Sequence, residues 1–229
     1  MKVFAGTKLH GRRSVGAVTW NGFWSQGGEV TATILLIRHA AHSHLGNILS
    51  GRSPDIALSP AGRSQADALA RRLWAVVIDA LHTSPVQRAQ ETAQAVAVGH
   101  PGLQTQVVPA LDELDFGDWS GRAFVELNDD PRWATWNEAR SKAVAPNGES
   151  MAHAQARAWR HIESVALGHP GKTVAMVSHC DIIRAVVAQV LGLSLDHYGR
   201  FDVDPASVTR LAVGDWGAKI LSLNETCHE

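Results

Sequence analysis

The sequence predicts an α/β protein, a three-layer α/β/α sandwich with a mostly parallel central sheet, and three observations lead there. Ile34-Leu35-Leu36-Ile37 and Val174-Ala175-Met176-Val177 are apolar runs without alternation, the pattern of strands covered on both faces. Helical stretches alternate with strand-like runs along the chain, the order expected of a parallel sheet joined by right-handed crossovers. A chain of 229 residues, 45% of them apolar, has the material for one such core.

Residues 1–30 hold six glycines together with Trp20 and Trp24 and show little periodicity, so they read as an N-terminal extension ahead of a domain spanning 31–229. The first strand is expected at 32–38. The loop after it carries His42, His44, Gly46 and Gly51, and its length is that of a functional loop. Ser59-Pro60 then opens a helix, with serine as cap and proline at the first helical position. Leu69, Leu73, Trp74 and Val77 supply its apolar stripe. A second strand is expected over Val76 to Leu81. Ser84 to Gln87 looks like a capping box, which puts Arg88 in the first helical turn.

Thr105 to Val108 reads as a third strand, and Leu111 to Gly121 as a loop dense in acids. Two short helices between Arg122 and Lys142 form a small helical cap segment, at about 122–146, closed by Pro146-Asn147-Gly148. A longer helix is expected over Ser150 to Leu167, then the strand Thr173 to Val177. Ser178 and Asp181 look like the capping box of the next helix. Strands at Val208 to Val213 and Lys219 to Leu223 close the chain. Their edge offers a place for a second copy, hence a possible homodimer.

Lysine plus arginine number 21 against 22 aspartate plus glutamate, a balance that argues against a nucleic-acid or membrane-seeking surface. The two cysteines, Cys180 and Cys227, are too few for a disulfide framework and fit a reducing cytoplasm. Behind Arg12-Arg13 the apolar stretch from Val15 to Trp20 is too short and broken for an export signal. Any anion site must therefore be local.

Three strand-to-helix junctions each offer a cation-capable group: Arg38 with His39, Arg88, and His179. Ligands in open α/β sheets bind beyond the carboxyl ends of such strands. Arginine forks gathered there suit phosphate oxygens. Phosphoryl transfer needs little else besides positioning, a nucleophile and a proton source. His39 could attack phosphorus through one nitrogen while its other N–H is held. Glu113 could protonate the leaving alkoxide. His39, His42 and His44 lie close together, but no cysteine or carboxylate stands at matching metal-ligand spacing, so no metal is expected.

These residues resemble the histidine phosphatase superfamily, which also holds the phosphoglycerate mutases. Leu36-Ile37-Arg38-His39 is similar to the L-x-R-H-G opening. Asp55 to Gly62 is similar to D-x-x-L-[ST]-x-x-G, Ser84 to Ala89 to S-P-x-x-R-[AT], and Glu113 to Gly121 to E-x-x-x-G-x-W-x-G. Gly148-Glu149-Ser150 and Ser178-His179 complete the order, over about residues 33–215. The resemblance implies a phosphoglycerate mutase-like fold and a phosphomonoesterase that needs no cofactor and hydrolyses a small phosphorylated metabolite. It implies His39 as the phosphorylated nucleophile, Arg38, Arg88 and His179 as holders of the phosphoryl group, and Glu113 as acid and then base.

The chain departs from the family pattern where Ala40 replaces glycine, His42 stands for threonine or serine, and Leu45 stands for asparagine. His42 and Asn47 are the expected replacements at the substrate, and Arg132 and Trp136 the expected cap contacts to the leaving group. A short cap segment and Glu113-Leu114-Asp115-Phe116 in place of E-R-x-Y favour hydrolysis. The alternatives are mutase-type transfer and a non-catalytic phospho-ligand binding module.

Overall fold

The computed structural model describes residues 31–226; the arm expected over 1–30, and Cys227, lie outside them. Six strands form one sheet in the spatial order β3-β2-β4-β1-β5-β6. They are β1 (Thr31–Arg38), β2 (Ala80–Thr83), β3 (Thr105–Val107), β4 (Thr173–Ser178), β5 (Val208–Gly214) and β6 (Gly217–Glu225). β3, β2, β4 and β1 run parallel, and the β5–β6 hairpin adds antiparallel to β1. The helices are α1 (Pro60–Leu73), α2 (Gln87–Val98), α3 (Phe124–Leu127), α4 (Pro131–Glu138), α5 (Met151–Gly168) and α6 (Cys180–Leu191).

The alternation of Cβ directions along the strands builds two cores. Leu35 and Ile37 of β1, with Ala175 and Val177 of β4, pack under α1 and α2. Ile34 and Leu36, with Val174 and Met176, pack under α5, α6 and the segment carrying Trp119, Trp133 and Trp136. The expected three layers are therefore present.

The expected cap of α1 is present, Ser59 accepting from Gly62 N, and α5 opens where expected, with Ser150 accepting from His153 N. Other expectations are corrected. β2 begins at Ala80, because α1 ends at Leu73 and the chain turns through Val76 to Asp79 before entering the sheet. Trp74 and Val77 consequently fall outside the apolar stripe and are 69% and 76% exposed. Neither Ser84 nor Ser178 caps a helix: α2 starts from Val86 and α6 from His179, both without a side-chain cap. Both serine hydroxyls are instead spent on tertiary contacts, Ser178 donating to Leu111 O at 2.7 Å.

Candidate active site

The register of the two central strands sets the site. Arg38 of β1 lies opposite Ser178 of β4, so the next residues, His39 and His179, emerge side by side with ring centroids 5.1 Å apart. Both are buried, at 3% and 0% exposure. His39 Nδ1–H donates to the carbonyl of Ala40 at 2.8 Å, which leaves Nε2 as the unprotonated nitrogen. Burial, then the charges of Arg88 and Arg38, holds His39 well below the usual imidazole range. The ring is neutral at physiological pH and has a free lone pair.

Arg88, in the first turn of α2, donates through Nη2 to Gly51 O at 2.6 Å and to His179 Nδ1 at 3.4 Å. Arg38 donates through Nη1 to Val203 O at 2.6 Å. The Nε of each arginine is buried without a protein partner among the described residues. Two buried guanidinium donors left over beside a neutral imidazole make a receptor for an oxyanion, since such donors are costly to bury unmatched.

Glu113 is 8% exposed and stands over the same floor, with Oε2 3.8 Å from His179 Nδ1. Burial, then the charge of Asp181, pushes its carboxyl up to about 8, against Leu114 N–H, Arg88 and Arg157, which act the other way. It therefore carries a proton at neutral pH. Its backbone is held from behind: the Glu113 carbonyl accepts from Arg52 Nε at 2.8 Å and from Arg157 Nη2 at 3.0 Å. Glu149 ties these two arginines together, accepting from each at 2.7 Å.

A cavity of about 110 Å³ opens above His39. Arg38, Arg88, Glu113 and His42 line it together with Leu45, Ile48, Leu49, Phe116, Phe124, Cys180 and Asp181. The His42 ring lies 5.2 Å from that of His39, tilted by 44°, and burial, then Arg88, lowers its pKa to about 4. Its buried Nδ1 has no partner among the described residues. Cys180 carries a thiol that burial pushes up to about 11, so it stays protonated.

The structure thus brings together His39, His179, Arg38, Arg88, Glu113 and His42. Two expected contacts are corrected, and a third residue, Asn47, stands at the cavity mouth. Trp136 is fully buried among Phe116 and Trp119 and packs the core instead of meeting a ligand. Arg132 is 62% exposed and paired with Asp130 at 2.8 Å on the surface. Asn47 is exposed beside the cavity; its neighbours Gly46 and Ile48 line the opening, and its own carbonyl accepts from Phe124 N.

Sequence reasoning passed over four groups that build the site. Ser84 and Asp112 stand behind His179, and Arg52 and Arg157 clamp the acid loop. Ser84 and Glu149 were visible as motif positions, but their partners are distant in sequence. Asp181, read as a capping acid, lines the cavity instead.

A buried cationic floor with a neutral imidazole nucleophile candidate and a protonated carboxyl, at the carboxyl ends of parallel strands, defines a phosphate-ester enzyme. The chain belongs to the histidine phosphatase superfamily (branch 1), whose family model matches residues 34–226, and it is a phosphoric monoester hydrolase of small phosphate esters. It is 31% identical over 199 residues to phosphoserine phosphatase 1 of Hydrogenobacter thermophilus, covering 85% of this chain and 93% of that one. It is 34% identical over 179 residues to a 2,3-bisphosphoglycerate-dependent phosphoglycerate mutase of Bartonella bacilliformis, covering 71% and 82%. Among solved structures, Bacillus stearothermophilus YhfR superposes with a TM-score of 0.81 at 27% identity, covering 86% of this chain and 98% of that chain. The phosphoglycerate mutase-like fold follows.

Proposed function

We propose that this phosphatase works through a phosphohistidine on His39. His39 Nε2 attacks phosphorus, the bond from phosphorus to the ester oxygen breaks, and Glu113 gives its proton to that oxygen so that the alcohol leaves neutral. Glu113, now a carboxylate, takes a proton from water as the water oxygen attacks phosphorus. The P–N bond breaks, its electron pair returns to Nε2, and inorganic phosphate departs. Arg38 and Arg88 hold the phosphoryl oxygens, with His42 beside them and His179 positioning Arg88 through its Nδ1.

The observation that carries this reading is the 2.8 Å hydrogen bond from His39 Nδ1–H to the Ala40 carbonyl, which leaves an unprotonated Nε2 in the cavity that Arg38 and Arg88, with their unmatched Nε donors, also line. The segment at about 122–146 serves as the cap, with Phe124 reaching the cavity. Action in the cytoplasm is supported by the cysteine usage. Two copies would pair through the edge strand near 208–223, and sedimentation tests that.

The experiment is phosphate release from p-nitrophenyl phosphate with EDTA present, comparing wild type with His39→Ala, alongside acid-labile ³²P retention on the protein. Turnover and transient label in the wild type, both absent in the variant, support the reading. Turnover that survives His39→Ala overturns it. A parallel arm with 3-phosphoglycerate and 2,3-bisphosphoglycerate reads out mutase activity, which the resemblance to the Bartonella enzyme makes worth measuring.

A further inference from the structure

Apart from the groups assigned to the phosphate, the cavity has an unusual charge for a site that takes anionic esters. Its apolar lining is formed by Leu45, Ile48, Leu49, Phe116 and Phe124, and it holds one carboxyl group besides Glu113, that of Asp181. Asp181 lies in the first turn of α6 with 18% of its side chain exposed. Among the described residues its carboxylate accepts no hydrogen bond; its ion-pair contact is Arg140 Nη1, at 3.7 Å.

Arg140 is not among the residues that line the cavity, although its Nε and Nη1 are buried without a hydrogen-bond partner among the described residues. Its side chain is 6% exposed, its guanidinium lies 4.2 Å from the ring centroid of Tyr198 and 5.1 Å from that of Trp136, and Nη2 is held by Asn137 Oδ1 at 2.9 Å. It stands 3.7 Å from Asp181 without filling the hydrogen-bonding capacity of that carboxylate. The arginines that do line the cavity, among the described residues, are Arg38 and Arg88, and both face the phosphate. A leaving group bearing a carboxylate would find no arginine in the lining beyond Arg38 and Arg88, and would meet Asp181. One bearing an ammonium would find an acceptor already in place.

We infer that Asp181 selects the leaving group, and that the preferred substrates are phosphomonoesters of amine-bearing alcohols on a short apolar frame. This rests on the phosphatase reading of the same cavity. The ammonium donates to Asp181 while the carbon frame lies against the apolar walls and the phosphate reaches His39. A charged hydrogen bond of this kind is worth about tenfold to a hundredfold in kcat/KM.

The test compares O-phosphoethanolamine with propyl phosphate, nearly the same in size and lacking the amine, and with 3-phosphoglycerate. The wild type is expected to favour the amine ester over propyl phosphate by about tenfold or more, with 3-phosphoglycerate poorest. In Asp181→Asn and Asp181→Ser the ratio of the amine ester to propyl phosphate should fall toward one. Reading the ratio cancels any general effect of the substitution on the chemical step. Equal wild-type rates, a preference that survives both variants, or 3-phosphoglycerate as the best ester would overturn the inference. The wild-type comparison decides even if both variants misfold. Loss of turnover on all three esters and on p-nitrophenyl phosphate would instead overturn the phosphatase reading, and the inference with it.

Discussion

His179 Nε2 lies 2.8 Å from Ser84 Oγ, and that hydroxyl in turn donates to Asp112 Oδ1 at 3.0 Å. With Asp112 taking the hydroxyl proton, Ser84 accepts from His179, which fixes the proton of that imidazole on Nε2 and leaves Nδ1 facing Arg88. Ser84→Ala removes the acceptor from a fully buried N–H. We expect a stability loss of about 1–3 kcal/mol, read by denaturant titration, and weaker phosphate binding, read as a raised Ki for inorganic phosphate. Ser84→Thr should recover most of the binding.

Glu113 gives the pH dependence. Its carboxyl is raised to about 8, by burial first and by Asp181 second, so the protonated acid is the form the folded protein favours. The rate for esters with poor leaving groups should fall as pH rises through about 8. Glu113→Gln should remove that limb along with about 10² to 10⁴ of rate.

The same shift has a stability consequence. A carboxyl raised on folding contributes stability that is full below its unfolded pKa, near 4.5, and lost as pH rises toward about 8. Glu113→Gln should therefore gain stability relative to wild type as pH goes from about 5 to about 8.5, measured by urea unfolding at each pH. A flat difference across that window would contradict the assignment.

The clamp behind the acid can be tested at Glu149. Its carboxylate accepts from Arg52 and Arg157, and these arginines hold the Glu113 carbonyl. Glu149→Gln weakens both charged bonds, with an expected loss of about 1.5–3 kcal/mol. The kcat should fall more than the KM rises, because the phosphate floor is untouched while the acid loses its position.

A second support for the acid loop is steric. Gly117 has φ +50°, and a Cβ there would come within 2.0 Å of the Pro146 carbonyl. Gly117→Ala should push the loop off residues 146–148, lowering kcat and thermal stability together. A variant with wild-type melting and activity would show that the close approach is dispensable.

How far the sequence reached depends on the range of each interaction. The parallel strands were legible because burial on both faces writes itself into a local run such as 34–37, and Arg38, His39, Arg88 and His179 because each sits at the end of such a run or just inside the next helix. The Ser84–Asp112 contact crosses 28 residues and the Glu149–Arg52 contact crosses 97, and nothing local announces either. Trp136 and Arg132 were misplaced for a related reason. On a short amphipathic helix such as α4, composition does not say which face turns inward, and here Trp136 does while Arg132 stays in water.

The Ala40 carbonyl that holds His39 has one further consequence. A peptide oxygen, unlike a carboxylate, cannot take a proton, so a ring phosphorylated at Nε2 would keep its Nδ1–H and stay formally cationic. Such a ring departs as neutral imidazole, a far better leaving group than an imidazolate. The phosphoryl group would then be a brief passenger, released to the first water that Glu113 activates, and the enzyme would rest empty between turnovers instead of standing charged.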